Sequence, residues 1–339
     1  MTMRELERIA TTAGFDAVGV APAVGAPHGE AFHAWLSEGC HASMGWLARD
    51  PERRCDPKRI LPGARSVIAL AMNYFVPDSD LPGDGARGRI ARYARGRDYH
   101  NLIPKRLKRF DLALQSEGGQ QRCFVDSGPL LERDFAVLAG IAWHGKSTLA
   151  LHPRLGTWFL LAAVITTLEL EAGTPMAAHC GKCTRCIAAC PTGAIVAPHK
   201  VDARRCLSYW TIEHKGALPE WIRPLLGDRI FGCDTCLDVC PWNRFAEASR
   251  EASFFARPAS QWLLRDYLAL GEAEFRALFE GSPIRRAGRQ GFLRNVCTAL
   301  GNVGDSADLA ALEKCRSDAD PVVVEHAGWA ITQIRVRTP

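Results

Sequence analysis

At 339 residues and 37.2 kDa the chain exceeds one typical domain and has room for two or three; 47% hydrophobic and 23% charged residues exclude a disordered or fibrous protein. Its 42 Lys+Arg against 37 Asp+Glu leave a formal charge of +5, which permits an acidic partner without demanding one. The longest apolar run, Trp158 to Leu168, is 11 residues, where a membrane-crossing helix needs about 20, so no such helix is expected.

Arg4, Glu5, Glu7 and Arg8 are followed by no apolar run and no twin-arginine pair, so no secretory signal is read and a cytoplasmic location is expected. Arg4–Ala13 has the pattern of a helix, and Ala17–Val20 and Ser66–Tyr74 those of strands. Helices are expected over Leu102–Gln115 and Leu130–Ala139, with a short strand at Cys123–Val125 between them. Trp158–Leu168, rich in Ile, Thr, Val and Phe, is expected to be a central strand, with a buried helix as the alternative. Residues 1–172 therefore form one α/β or α+β domain within an α+β multidomain chain.

Through residues 173–247 Cys, Pro and Gly become dense and long apolar periodicity disappears, as where ligand bonds replace part of a core. Residues 248–339 turn helical, with helix starts at Asp305-Ser306 and Asp320-Pro321. The closing stretch resembles a HEAT-type repeat, and one or two such units must pack on another part of the chain.

The cytoplasm disfavours structural disulfides, which turns thirteen cysteines towards metal binding. Cys180, Cys183, Cys186 and Cys190-Pro191 form the C-x2-C-x2-C-x3-C-P run of bacterial ferredoxins, in which three thiolates hold one [4Fe–4S] cluster and the fourth reaches the other. Cys233, Cys236 and Cys240-Pro241 repeat the ending but lack one ligand, which Cys206 supplies. Cluster one is assigned to Cys180, Cys183, Cys186 and Cys240, and cluster two to Cys190, Cys206, Cys233 and Cys236. Zinc is the competing occupant, and purely structural clusters are a second alternative. Cys40, Cys55, Cys123, Cys297 and Cys315 are scattered and read as spectators.

With these runs in place, Arg92–His100 (RYARGRDYH), Val125–Pro129 (VDSGP), Ala139–Ser147 (AGIAWHGKS) and CDTCLDVCPWN together resemble the epoxyqueuosine reductases, over nearly the whole chain. The resemblance implies an α/β cobalamin-binding domain, a ferredoxin-like domain with two [4Fe–4S] clusters and a HEAT-like α-helical domain. It further implies reduction of epoxyqueuosine to queuosine at the wobble position of tRNA. Nothing read from composition or spacing demands cobalamin, and no D-x-H-x-x-G run offers a lower-face histidine. His144 and Ser147 depart from the family pattern, where an apolar residue and Asn are expected.

Expelling an epoxide oxygen requires a proton donor beside it. Asp126, after a short strand, is the candidate, with burial against a corrin expected to raise its pKa; the alternative is a cap for the helix near Leu130. By their places in the family pattern, Arg54, Arg92, Asp98, Tyr99, His100, Gly145, Lys146, Gly156 and Ser208 join Asp126 as cofactor-binding residues. Residues 87–109 carry nine Lys/Arg against Asp98 alone, with Tyr93, Tyr99 and His100 interleaved, a composition suited to phosphates and bases or to a solvated face. Lys215, Arg285 and Arg286 are the tRNA-binding candidates, with Arg289 and Arg294 extending the same patch.

The expected partners are a tRNA anticodon stem-loop carrying epoxyqueuosine and an external electron donor such as a flavodoxin or ferredoxin, with the protein a monomer. The alternatives are a corrinoid reductive dehalogenase, normally exported behind a twin-arginine signal, a non-catalytic dicluster electron-transfer subunit, and an RNA-binding scaffold.

Overall fold

The computed structural model describes residues 1–78 and 85–337, which form two compact units, each assembled from several stretches of sequence. The first contains Met1–Phe75, Tyr99–Ala203 and Thr235–Glu251; the second contains Val76–Asp98, Arg204–Asp234 and Ala252–Pro339. Among the described residues no helix is long and apolar enough to cross a membrane.

The first unit is built on a four-stranded sheet. Its strands are β1 (Ala17–Pro22), β2 (Ser66–Asn73), β3 (Gln121–Phe124) and β4 (Phe159–Thr166), in the spatial order β1-β2-β4-β3. All eight residues of β2 are buried, which is why it reads as a continuous apolar run. It pairs with β4 from Ser66 opposite Thr166 to Asn73 opposite Phe159, so the segment Trp158–Leu168 is the expected central strand. Every pairing in this sheet is antiparallel, which corrects the α/β expectation for this part of the chain to α+β. A strand covered on both faces looks alike in sequence whether its neighbours run parallel or antiparallel.

On one face Val67, Ala69 and Ala71 share a core with Ala163, Ile165, Phe135 and Ala136, which seats the helix Glu132–Leu138. The helix Met3–Ala13 opens with a reciprocal cap, in which Thr2 Oγ1 accepts from the Glu5 N–H and the Glu5 carboxylate accepts from the Thr2 N–H. It ends at Gly14, whose φ of 90° suits glycine. Phe15, just beyond, meets Phe110 of the helix Tyr99–Gln115 edge to face at 6.3 Å. Tyr99 and His100 thus begin a helix that the hydrophobic core anchors further along.

In the second unit the helices Gly288–Val303, Leu309–Cys315 and Pro321–Arg337 pack through Phe292, Val296, Leu300, Leu312, Ala327, Ala330 and Ile334. Gly301 permits close approach there, because a Cβ would lie 2.4 Å from the Trp329 ring. Asp305 and Asp320 accept from the N–H groups of Ala307 and Val322, so both expected helix-start signals operate.

These helices bind segment 204–234 of their own unit through a buried polar network. Asn295, fully buried, donates to the carbonyls of Thr211 and Ile230. Arg294, 1% exposed, donates to those of Trp210, His214 and Gly216. Burial lowers its pKa to about 10. Arg294 is therefore a structural residue, which corrects its inclusion in an exposed basic patch.

Candidate functional site

Asp126 follows β3 in the left-handed backbone region, with a φ of 53°, a conformation Asp tolerates better than most residues. It is not a helix cap: the helix Glu132–Leu138 starts after Leu131, which makes no side-chain capping bond. The Tyr99 hydroxyl donates to Asp126 Oδ2, and His100 Nε2 lies 3.5 Å from the same oxygen. The rings of Tyr99 and His100 stack with centroids 4.1 Å apart. Behind the loop, the Arg54 guanidinium donates to the Gly128 carbonyl at 3.4 Å and lies over the Trp46 ring at 5.5 Å, while the Arg54 carbonyl accepts from the Leu131 N–H.

The electrostatics of this loop differ from the expectation of a buried, protonated Asp126. Its side chain is 60% exposed. The hydrogen bond from His100 holds the carboxyl below the usual range, and Tyr99 adds to it against partial desolvation. The raised group is Glu132, whose Oε1 accepts from the Asp126 N–H at 3.0 Å. Burial, and then the negative charge of Asp126, push Glu132 up to about 8. Two adjacent carboxyl groups are thereby driven apart in acidity, the pattern that separates proton carriers from fixed charges. Nothing in the sequence marked Glu132 beyond its place two residues after Leu130.

Among the described residues none of the eight clustered cysteines forms a disulfide. Cys180, Cys183, Cys186, Cys190, Cys236 and Cys240 belong to the first unit, and Cys206 and Cys233 to the second. Burial raises the Cys240 thiol, and so does the charge of Cys180, Cys186 and Cys183, which places the two ends of this cysteine run in one neighbourhood. Cys190 accepts from the Ala194 N–H at 3.2 Å. Burial opposes its ionisation, but hydrogen bonds from Thr192 and neighbouring backbone outweigh this and lower its pKa, as a metal-bound thiolate requires.

Lys146 donates to the carbonyls of Gly181 at 2.6 Å and Cys183 at 3.1 Å, tying its turn to the first cysteine loop. Gly145 is needed where a Cβ would meet Leu151, and Gly156, with a φ of 61°, where one would meet Asn243. Internal packing thus accounts for both glycines. Arg54 keeps a buried Nε–H without a partner, a donor of the kind that the amide carbonyls fringing a corrin accept.

The Arg92–His100 segment divides between the units, Arg92 and Asp98 in the second, Tyr99 and His100 in the first. Arg92 and Arg95 pair with Asp78, and the Arg92 N–H donates to Asp234; the Asp98 N–H donates to the Gly281 carbonyl. Arg106 pairs with Glu251, so part of this basic stretch is spent internally. Ser208 precedes the turn Tyr209–Glu213 and is half-buried, its carbonyl accepting from Thr211 at 3.4 Å. Lys215, Arg285 and Arg286 do come together: all three are exposed, and Lys215 Nζ donates to the Arg286 carbonyl at 3.1 Å. Arg286 Nε pairs with Glu213 at 2.6 Å. Arg289 leaves this patch, because its guanidinium is held by Asp318.

A double cysteine run of the ferredoxin type, in a chain that also presents a carboxylate held by Tyr99 and His100, defines a dicluster iron–sulfur oxidoreductase. Residues 179–243 match the family model "4Fe-4S double cluster binding domain", and residues 54–127 match "Epoxyqueuosine reductase QueG, DUF1730". The chain is 45% identical to the epoxyqueuosine reductase of Xanthomonas campestris pv. campestris, covering 97% of this chain and 95% of that protein. It is 42% identical to that of Escherichia coli K12, covering 94% and 86%. A crystal structure of selenomethionine-labeled epoxyqueuosine reductase superposes with a TM-score of 0.92 at 32% identity, over 98% of this chain and 90% of that one. An epoxyqueuosine reductase solved with an epoxyqueuosine-modified tRNA-Tyr stem loop also gives 0.92 at 32% identity, covering 98% and 89%. The chain belongs to the epoxyqueuosine reductase family, whose members use cobalamin and iron–sulfur clusters.

Proposed function

We propose that this protein reduces epoxyqueuosine to queuosine within tRNA, with Asp126 as the proton donor. The observation that carries the reading is the pairing of the eight-cysteine array with the Asp126 loop in a chain related end to end to epoxyqueuosine reductases. A relative was solved with an epoxyqueuosine-modified stem loop, which supports tRNA as the substrate here. The proposed cluster ligands are Cys180, Cys183, Cys186 and Cys240 for one, and Cys190, Cys206, Cys233 and Cys236 for the other. When bound, the clusters supply electrons singly and cobalamin supplies a low-valent cobalt as the reductant of the epoxide.

Converting an epoxide to an alkene consumes two electrons and two protons and releases water. Asp126 is the proposed source of one proton, and the Tyr99 hydroxyl hydrogen-bonded to it is a group that can resupply it. In the uncovered chain the carboxyl is ionised. Covering its exposed face with an apolar ligand strips water from the charged form and raises its pKa, which turns it into an acid when the site is filled. Glu132, protonated near neutrality, holds the loop through the Asp126 N–H. Arg54, Asp126, Tyr99, His100, Gly145, Lys146, Gly156 and Ser208, with Arg92 and Asp98, remain the proposed cofactor-binding residues. Lys215, Arg285 and Arg286 are the proposed phosphate-binding residues. The modules run 1–172, 173–247 and 248–339, with a HEAT-like third part, and the protein acts as a cytoplasmic monomer fed by a flavodoxin or ferredoxin.

The test is anaerobic purification, reconstitution with cobalamin, and incubation with a low-potential donor and tRNA carrying epoxyqueuosine. The reading requires about eight iron and one cobalt per chain and appearance of queuosine. Eight iron with no cobalt and no conversion would make the protein an electron-transfer module instead.

A further inference from the structure

In the first unit, two imidazoles converge on one buried carboxylate oxygen. His28 Nδ1 lies 2.9 Å and His144 Nε2 2.8 Å from Asp134 Oδ1, and the three atoms all lie within 4.8 Å of one another. The rings meet edge to face, with centroids 4.6 Å apart. Asp134 is 3% exposed, whereas the His28 side chain is 57% exposed, so the group is held from inside and open from outside.

Each ligand comes from a different element: His28 from the residue before the helix Gly29–Ser37, Asp134 from the first turn of Glu132–Leu138, and His144 from the strand Trp143–His144. The second carboxylate oxygen accepts from the His28 backbone N–H at 2.9 Å, which fixes the plane of the group and aims Oδ1 at the rings. Among the described residues the ion-pair partners of Asp134 are these two histidines, with no Lys or Arg. Both side chains hydrogen-bonded to this buried carboxylate are thus imidazoles, groups that can ligate a dication together with it.

We propose that His28, Asp134 and His144 bind a divalent transition-metal ion of the zinc type, separate from the iron–sulfur and cobalamin chemistry. Two imidazoles with one carboxylate select zinc-like ions over magnesium or calcium, which prefer all-oxygen sites. Around an ion with ligand bonds near 2.0–2.1 Å, tetrahedral donors sit about 3.3 Å apart. The two nitrogen–oxygen separations therefore need to widen by only a few tenths of an ångström, and the two nitrogens already lie within 4.8 Å of each other. Each ring binds as the neutral form, giving up the proton on the nitrogen that faces Oδ1 and keeping one on the other. Solvent completes the coordination on the open side. The ion would lock the start of one helix to the strand that runs into Gly145 and Lys146, and Lys146 in turn holds the first cysteine loop. Its role is to stiffen that connection.

The test uses cluster-loaded protein, zinc chloride as the only added metal, and metal analysis after gel filtration, with iron content confirming that zinc has not displaced the clusters. The wild type should retain one zinc per chain beyond its iron and show a higher Tm when zinc is added. His28→Ala, at an exposed position, and His144→Val, which restores the apolar residue expected from the family pattern, should each bind zinc at least tenfold more weakly and lose the Tm shift. Because both variants keep every cysteine, zinc bound at cluster positions would appear equally in all three proteins. Equal uptake by the three, or no uptake by the wild type, would overturn the site.

Discussion

The hydroxyl of Tyr99 donates to Oδ2 of Asp126, and His100 Nε2 approaches the same oxygen at 3.5 Å, so a helix start and a loop 27 residues away form one proton-bearing unit. Removing the acid should leave the rest of that unit standing. Asp126→Asn is expected to keep iron and cobalamin at wild-type levels while turnover falls by about 10²–10⁴. Metal analysis alongside single-turnover conversion of tRNA checks this, and wild-type activity would remove Asp126 from the chemistry.

Tyr99→Phe deletes a hydrogen bond that favours the charged carboxylate, so the Asp126 pKa should rise. A group that acts as an acid works below its pKa. The high-pH limb of kcat/KM should therefore move to higher pH in Tyr99→Phe, read from a pH profile at saturating reductant.

Glu132 titrates near 8 in the folded chain, against an ordinary value of 4.5. The sign follows from proton linkage: a raised folded pKa gives a contribution that is complete below pH 4.5 and lost as pH rises through about 8. Glu132→Gln should thus flatten the stability profile across that window, relative to the wild type, in denaturant titrations of the protein at several pH values.

Lys146 spans from its turn to the carbonyls of Gly181 and Cys183, so Lys146→Ala should loosen the first cysteine loop. Iron content is expected to fall from about eight towards about four per chain, because one cluster loses its preformed loop. Iron analysis with electron paramagnetic resonance after reduction separates the loss of one cluster from the loss of both.

Lys215 and Arg286 share one exposed surface, and their replacement by Ala should weaken tRNA binding across sequences rather than alter the nucleoside chemistry. Removing one cation from a phosphate should reduce the slope of log affinity against log salt by about 1. Binding titrations at several salt concentrations measure this directly.

Much of the molecule could be read from local pattern. Ser66–Asn73 and Phe159–Thr166 are strands because runs of β-branched and small apolar residues fit a pleat covered on both faces, and Asp305 and Asp320 start their helices through bonds made within a few residues. The cysteine spacing announced iron–sulfur chemistry because ligand loops are local. Other properties depend on what lies across the fold. Arg294 looked like a surface cation until three carbonyls from residues 210–216 enclosed it, and the neighbours a side chain would strike at Gly145 and Gly156, Leu151 and Asn243, come into view only in the fold. The antiparallel sheet, the low pKa of Asp126 and the meeting of His28 with Asp134, 106 residues away, were decided by tertiary structure alone. The physical reason is range: side-chain type and spacing determine backbone preference and nearby ligand geometry, whereas burial, charge compensation and pairing direction depend on groups that only folding brings together.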